Sequence, residues 1–255
     1  MLSDAQHGFS ARSTVTNMSN FINYITPFVD SRKQVDVIYT DFSKTFDRVN
    51  HKLLVKKLSD FGIGGTLLSW LTSYLYNRYS HVKGYASREF CVSSGVPQGS
   101  ILGPLLFNIF INDITESLQN SRYFIFADDL KFCMEISNSA NAQSLQEDID
   151  RVSDWCRSNG MDLNPVKCSH LSFTRRRTTV ETKYHINNGP VEKRDFIRDL
   201  GIVIDTKLRF NLHIDHVCRS ARRILGFLFR NAKQFRKLET KKLLYASLVR
   251  SELMK

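Results

Sequence analysis

The sequence predicts an α+β fold built on an open sheet. Three observations lead there. Short stretches rich in β-branched and aromatic residues read as strands. Long helical stretches interrupt them without a regular βαβ rhythm. At 255 residues and 42% hydrophobic content, the chain can bury a core as one large domain or two subdomains.

The elements follow in order. VDVIYTDF (35–42) has strand composition and is preceded by a polar DSRKQ turn. Helices are expected over 53–58 and over TLLSWLTSYLYN (66–77), separated by the breaker FGIGG. HVKGYASREFCVSSG (81–95) alternates loosely around Gly84 and is expected as a hairpin. SILGPLLFNIFINDITESLQ (100–119) reads as a mostly buried helix with Ser100 as its N-cap. YFIFADDLKFC (123–133) reads as strand–turn–strand. AQSLQEDIDRVSDWCRSNG (142–160) is an amphipathic helix with Leu145, Ile149, Val152, Trp155 and Cys156 on one face and Gly160 as its stop. SHLSFT, KYHIN and DLGIVID are expected as short strands. The basic C-terminal region is helical, with a small subdomain expected to begin near residue 205.

The N-terminal MLSDAQHGFSARST has no basic region followed by an apolar core, so no signal peptide is expected. The longest apolar run, ILGPLLFNIFI (101–111), is too short to span a bilayer. The chain reads as soluble, without a membrane partner, and as nuclear or cytoplasmic. Five scattered cysteines without a CxxC pair give neither a disulfide framework nor a zinc site.

The net charge of +11 is uneven. Residues 1–165 carry 15 Lys and Arg against 17 Asp and Glu, whereas residues 166–255 carry 21 against 8. Solvated helix faces mix both signs, so a one-sign block points to a polyanion. Nucleic acid is the first candidate and an anionic membrane surface the second.

Adjacent Asp128 and Asp129 sit between apolar runs, and Asp41 ends the first strand. An isolated Asp-Asp is commonly a solvated turn. If the two strands are neighbours, however, three carboxylates approach one another. Their repulsion is relieved by a divalent cation. Oxygen-only ligands suit Mg²⁺ or Mn²⁺ rather than zinc. Two such ions are a device for in-line phosphoryl transfer, so the spacing points to metal-dependent phosphoryl transfer on nucleic acid.

Taken together, the segments resemble the reverse transcriptase domain of a non-LTR (LINE-type, jockey-like) retrotransposon. QHGFSARSTVTNM (6–18) resembles the family's fingers motif, YTDFSKTFDRVNH (39–51) motif A, and SGVPQGSILGPLLFNIFINDI (94–114) motif B. FADDLKF (126–132) resembles motif C, GMDLNPVKCSHLSF (160–173) motif D, and DLGIVIDTKLRFNLHI (199–214) motif E with the start of the thumb. The wording of motifs A and B disfavours a group II intron maturase or a telomerase-like relative.

The resemblance implies a right-hand polymerase palm, an open antiparallel sheet backed by helices. Partial fingers would occupy 1–34 and the palm 35–204, with fingers-type insertions at 50–93. The start of a helical basic thumb would occupy 205–255. It implies an RNA-directed DNA polymerase that transfers deoxynucleotides to a primer 3′-OH with two Mg²⁺ ions, Mn²⁺ being the substitute. The implied partners are an RNA template, a DNA primer and deoxynucleoside triphosphates; nothing in the sequence specifies an oligomeric state. Asp41, Asp128 and Asp129 would be the catalytic metal ligands. Phe46 would crowd the sugar 2′ position, and Gly95, Pro97, Gln98 and Gly99 would form the loop that nucleotide and template approach. Lys167 would protonate the departing pyrophosphate, and the basic C-terminal third would grip template and primer through phosphates.

The chain departs from the family at Ser10, where a basic residue is usual, at Thr45, where Ala is usual, and at Asp199, where Tyr is common. It opens at the second fingers motif, which points to a fragment. The alternative expectation is therefore a truncated, catalytically inactive nucleic-acid-binding remnant.

Overall fold

The computed structural model describes residues 3, 5–9, 12–76, 78–80 and 90–254, so the expected turn at Gly84 and the departure at Ser10 lie outside the described residues. The chain divides into two compact units, Met1–Lys193 and Arg194–Lys255.

The first unit starts with helix α1 (Thr14–Asp30), whose Ser13 cap and Thr16 satisfy each other's backbone N–H groups. Strand β1 (Val35–Tyr39) and a 3₁₀ turn (Thr45–Asp47) follow, then helices α2 (His51–Asp60) and α3 (Gly65–Leu75). The short strands β2 (Arg78–Ser80) and β3 (Phe90–Val92) pair antiparallel before helix α4 (Leu102–Ile111). Next come β4 (Arg122–Phe126), β5 (Asp129–Glu135), helix α5 (Ser139–Asn159) and β6 (Ser169–Phe173). The two-residue strands β7 (His185–Ile186), β8 (Gly189–Pro190) and β9 (Glu192–Lys193) close the unit.

Five strands form one sheet in the order β4-β5-β1-β6-β9, antiparallel except for the final β6–β9 pair. Helices cover both faces, which is why every residue of β1 and β6 is buried. Alternation sends Val35, Val37 and Tyr39 toward α1, where Phe21 meets Tyr39, Phe124 and Phe173 edge-on at 6.3, 5.5 and 6.0 Å. Ile38 points the other way, into a core shared with Leu54 of α2, Phe107 and Phe110 of α4, and Leu145 and Ile149 of α5.

Polar ties fix the helices on that second face. Lys57 of α2 donates to Asp113 Oδ1 and to the Phe110 carbonyl, both at 2.8 Å, and Trp155 Nε1 donates to the same Asp113 oxygen at 3.0 Å. Burial pulls the Lys57 pKa down, against the opposing pull of Asp113. Asp148, fully buried on α5, accepts the backbone N–H groups of Gln119, Asn120 and Ser121, setting the entry into β4. Ser100 lies one residue outside the assigned cap of α4, yet its Oγ accepts the Gly103 N–H at 2.9 Å and so caps the helix as expected. Helix α5 ends where expected, with Gly160 at φ +68°.

One expected strand is a hairpin. DLGIVID divides into β10 (Phe196–Asp199) and β11 (Ile202–Asp205), because Leu200 and Gly201 take φ of +45° and +95° in a two-residue turn. This hairpin opens the second unit. Helix α6 (Asn211–Asn231), α7 (Leu238–Leu244), a π-helical stretch (Tyr245–Arg250) and the short α8 (Ser251–Leu253) follow it. Arg219, Arg222, Arg223 and Arg230 are exposed on α6. Among the described residues, no helix is long and apolar enough to cross a membrane. Cys133, Cys156, Cys168 and Cys218 are free thiols.

The second position of β1 carries a buried carboxylate. Asp36 Oδ2 accepts from Tyr184 Oη at 2.8 Å and Thr182 Oγ1 at 2.7 Å, Oδ1 accepts from Gln34 Nε2 at 2.9 Å, and His170 Nε2 lies 3.7 Å away. Burial alone would raise the Asp36 pKa, but the adjacent His170 and the hydrogen bonds from Gln34 and Thr182 bring it below its usual value. Tyr184→Phe therefore removes a hydrogen bond to a charged acceptor and is expected to cost about 1.5–3 kcal/mol of stability in urea unfolding at neutral pH. Because the folded pKa of Asp36 is depressed, its contribution is complete above the unfolded value of 3.8 and fades as pH falls through the lower folded value. The gap between variant and wild type should narrow as pH falls below 3.8; a gap that does not narrow there would refute this origin.

Candidate active site

Asp41 lies two residues beyond β1, and Asp128 and Asp129 lie at the turn between β4 and β5. The β1–β5 ladder runs to Tyr39↔Lys131, and Thr40 extends it by donating its N–H to the Leu130 carbonyl at 3.0 Å. Its hydroxyl adds a second bond to the same oxygen at 2.9 Å. The exit of β1 is thereby held beside the start of β5.

A second strip of backbone holds Asp41 from the other side. Its carbonyl accepts the Asn164 N–H at 2.8 Å, its own N–H points at Cys168 Sγ at 3.4 Å, and Ser43 N–H donates to the Asp162 carbonyl at 2.8 Å. An ion pair between Arg48 and Asp162 reinforces this contact. Burial pushes the Cys168 thiol up to about 11, so it remains protonated beneath Asp41 at neutral pH. The same strip carries Lys167, whose Nζ is 3.4 Å from Asp41 Oδ2. Both side chains are well exposed, 66% for Lys167 and 38% for Asp41, so this ion pair adds little to stability.

The carboxylates differ in what satisfies them. Asp41 Oδ2 is itself buried and receives no hydrogen bond. Asp128 Oδ2 accepts from Thr45 Oγ1 at 3.0 Å. Asp129 is exposed at the first position of β5. Among the described residues, no three carboxylate, imidazole or thiol side chains are gathered into a ready-made metal cluster. Like charges repel, and Asp41 and Asp128 each take a local partner, Lys167 and Thr45. The donor set still fits a hard, oxygen-preferring divalent cation: oxygen atoms only, including one buried carboxylate oxygen without a hydrogen-bond donor.

The loop 94–99 is fastened to the 3₁₀ turn that follows Asp41. Gly95 N–H donates to the Val49 carbonyl and Val96 N–H to the Phe46 carbonyl, both at 2.8 Å. His51 Nε2 lies 2.8 Å from the Gly95 carbonyl, and Gln98 Nε2 donates to Asp47 Oδ1 at 2.9 Å. Phe46 is half-buried, its ring packed on Phe107 with centroids 4.8 Å apart. Gly95, Pro97 and Gln98 line a groove of about 1060 Å³ together with Asp47, Tyr74 and Arg78. Gly99 takes φ +80° with open space around it.

The structure thus brings Asp41, Asp128 and Lys167 into one neighbourhood and fixes Phe46 and the 94–99 loop to the same turn. Three residues to which the sequence assigns no role complete it: Thr45 on Asp128, Cys168 under Asp41, and Gln6 against the turn before Asp128. Thr45 is marked in the sequence only as a departure from the resembled family, and Gln6 and Cys168 only as members of its motifs.

Comparison with known proteins gives the family and the fold. A family described as "Reverse transcriptase (RNA-dependent DNA polymerase)" matches residues 1–227. The probable RNA-directed DNA polymerase from transposon X-element of Drosophila melanogaster is 31% identical over 222 residues, 83% of this chain and 24% of that protein. The RNA-directed DNA polymerase from mobile element jockey of the same species is 27% identical over 227 residues, 85% of this chain and 24% of that protein. The chain therefore spans about a quarter of the length of these relatives. Among solved structures, telomerase from Candida tropicalis in complex with a fragment of telomeric RNA superposes with a TM-score of 0.55 at 13% identity, covering 97% of this chain and 42% of that one. Telomerase from Candida albicans gives 0.53 at 14% identity, covering 98% and 44%. At such identities the likeness shows a shared fold.

The glycines of the loop differ in a way that can be measured. A Cβ on Gly95 would lie 2.8 Å from Asp47 Cα and from the Phe46 carbonyl oxygen, at φ +86°. Gly95→Ala combines backbone strain, on the order of 1–3 kcal/mol, with steric overlap, whereas Gly99→Ala meets strain alone. Thermal and urea unfolding should place Gly95→Ala clearly below Gly99→Ala in stability; equal losses would show that the loop does not press on the turn.

Proposed function

The chain belongs to the reverse transcriptase (RNA-dependent DNA polymerase) family, and from that premise we propose that it is an RNA-directed DNA polymerase of a non-LTR retrotransposon. It extends a primer 3′-OH with deoxynucleotides along an RNA template. The observation that carries this reading is the juxtaposition of Asp41 and Asp128 at the adjoining ends of β1 and the β4–β5 turn, with Asp41 Oδ2 buried, accepting no hydrogen bond and 3.4 Å from Lys167 Nζ.

Asp41, Asp128 and Asp129 would hold two divalent ions, Mg²⁺ or Mn²⁺. When bound, such ions supply activation of the attacking hydroxyl and charge stabilisation for the leaving pyrophosphate. The remaining roles belong to the chain. Phe46, braced on Phe107, keeps a fixed ring beside the sugar and excludes a 2′-hydroxyl. Gly95, Pro97, Gln98 and Gly99 let nucleotide and template approach backbone, and the hydrogen bond from Gln98 to Asp47 keeps the loop in register with that ring. Lys167, an ammonium beside Asp41, donates a proton to the departing pyrophosphate. In this reading residues 1–34 are partial fingers, 35–204 the palm with fingers-type insertions at 50–93, and 205–255 the start of the thumb. The exposed arginines of α6 grip phosphates.

Primer extension on an RNA template with Mg²⁺ or Mn²⁺ tests the reading. Asp41→Asn and Asp128→Asn are each expected to lower incorporation roughly 100-fold or more, the scale of losing one electrostatic stabiliser of the transition state. Equal incorporation by wild type and variants would remove these residues from the site. No incorporation by wild type, with RNA binding retained, would identify a nucleic-acid-binding remnant instead.

Binding itself should weaken with salt. Arg222→Ala and Arg223→Ala are each expected to reduce the slope of log K against log salt by about 1. A slope unchanged by both would show that α6 does not hold phosphates.

A further inference from the structure

The turn that carries the aspartate doublet is strained and braced. Only Ala127 and Asp128 separate the terminal β4–β5 pair, Phe126↔Asp129, and Ala127 stands at φ +56°. A residue with a Cβ pays on the order of 1–2 kcal/mol for a left-handed backbone. Within a two-residue turn, the N–H and C=O of such a residue also lack ladder partners and need others.

Gln6 supplies both. This buried side chain accepts the Ala127 N–H on Oε1 at 2.9 Å and donates from Nε2 to the Ala127 carbonyl at 3.3 Å. Oε1 also accepts the Gly8 N–H at 2.8 Å. Two backbone donors converging on one atom leave no choice in the amide's orientation.

The brace is anchored at its own ends. The segment around Gln6 pairs with β4: Ile125 N–H donates to the Ala5 carbonyl at 3.3 Å and His7 N–H to the Ile125 carbonyl at 2.9 Å. Asn108 of α4 donates to the Gly8 carbonyl at 2.7 Å. Gly8 lies so close to the turn that a Cβ there would sit 2.2 Å from Ala127 N, so the segment can seat itself only with glycine at that position.

We propose that Gln6 is a positioning residue of the active site: it holds Ala127 in the left-handed conformation that presents Asp128 beside Asp41. The inference rests on the polymerase reading for the role of Asp128, but not for the brace itself. It also gives the sequence QHG a reason that no helix or strand pattern supplies, since the turn dictates its first and third residues.

The test compares the full chain as wild type, Gln6→Met, Gln6→Ala, Ala127→Gly, and each Gln6 variant combined with Ala127→Gly. Methionine keeps the volume of the side chain but makes none of its hydrogen bonds. Glycine at 127 takes the turn's backbone angle without strain, so it should make the brace dispensable. Amide hydrogen exchange at Ala127 reads the turn, and Mn²⁺ binding followed by electron paramagnetic resonance reads the carboxylates.

Gln6→Met is expected to speed exchange at Ala127 and to weaken Mn²⁺ binding, each roughly tenfold. Adding Ala127→Gly should return Mn²⁺ affinity to within about threefold of wild type. A role confined to holding the N-terminal segment would lower the melting temperature without that rescue. Wild-type Mn²⁺ affinity in folded Gln6→Met or Gln6→Ala, or double variants no better than the singles, overturns the proposal. If wild type binds no Mn²⁺ under conditions where Asp128→Asn is indistinguishable from it, the polymerase reading fails. The exchange rates at Ala127 then still support or overturn the brace.

Discussion

The antiparallel ladder between β1 and β5 is the constraint on which the rest depends. Asp41 and Asp128 belong to segments far apart in the chain, and no local preference brings them together. The register Tyr39↔Lys131, continued by the two bonds from Thr40 to the Leu130 carbonyl, sets one strand exit against one strand entry. A slip of one residue would exchange the side chains packed on the two faces, moving Ile38 and Phe132 away from the helices they fit, so specific packing on each face enforces the register. The site inherits its precision from hydrophobic packing at a distance from any charge.

Strand β1 and its exit hold two aspartates with opposite fates, and the number of donors around each explains why. Asp36 sits at the second position of β1 with Tyr184, Thr182 and Gln34 donating to it and His170 alongside, so its charge is locally compensated in a dry core. Asp41 sits just past the strand end with one buried oxygen that receives no hydrogen bond and a lysine at the limit of contact. Three donors in a buried setting leave Asp36 little to offer a cation, whereas Asp41 keeps an oxygen that accepts no hydrogen bond on a side chain that is 38% exposed. Position along one strand thus separates a structural charge from one suited to chemistry.

Much of this was legible in the sequence. Composition and spacing marked strands β1, β4 and β5, the amphipathic α5 with its glycine stop, and the carboxylates at strand ends, because each depends on a short local pattern. The hairpin at Leu200–Gly201 looks like continuous strand in the sequence, since a leucine in the left-handed region gives no local warning. The partners that orient the site were not legible either. Gln6 touches Ala127 and Cys168 touches Asp41 only after the sheet has formed, so their roles are properties of the pairing and not of the neighbouring residues. The wording of several motifs carried the family, yet it left unexplained why glutamine and glycine should precede the first helix.

Thr45 shows how a departure from a family pattern can be absorbed by geometry. A methyl group at this buried position would only pack; the hydroxyl instead reaches Asp128 Oδ2 at 3.0 Å and lies 3.4 Å from the Phe42 carbonyl. A carboxylate offers about four lone-pair sites on two oxygens, so a hydrogen bond from Thr45 leaves room for a cation on the same group. The bond also restricts the rotation of the Asp128 side chain, a freedom that binding would otherwise have to remove. The turn is therefore held twice, its backbone by Gln6 at Ala127 and its carboxylate by Thr45. Because Thr45 belongs to the 3₁₀ turn to which the Gly95 loop is fastened, the carboxylate and that loop share one support. A shift in that turn would move both together, which ties the alignment of the acidic residues to the shape of the groove beside them.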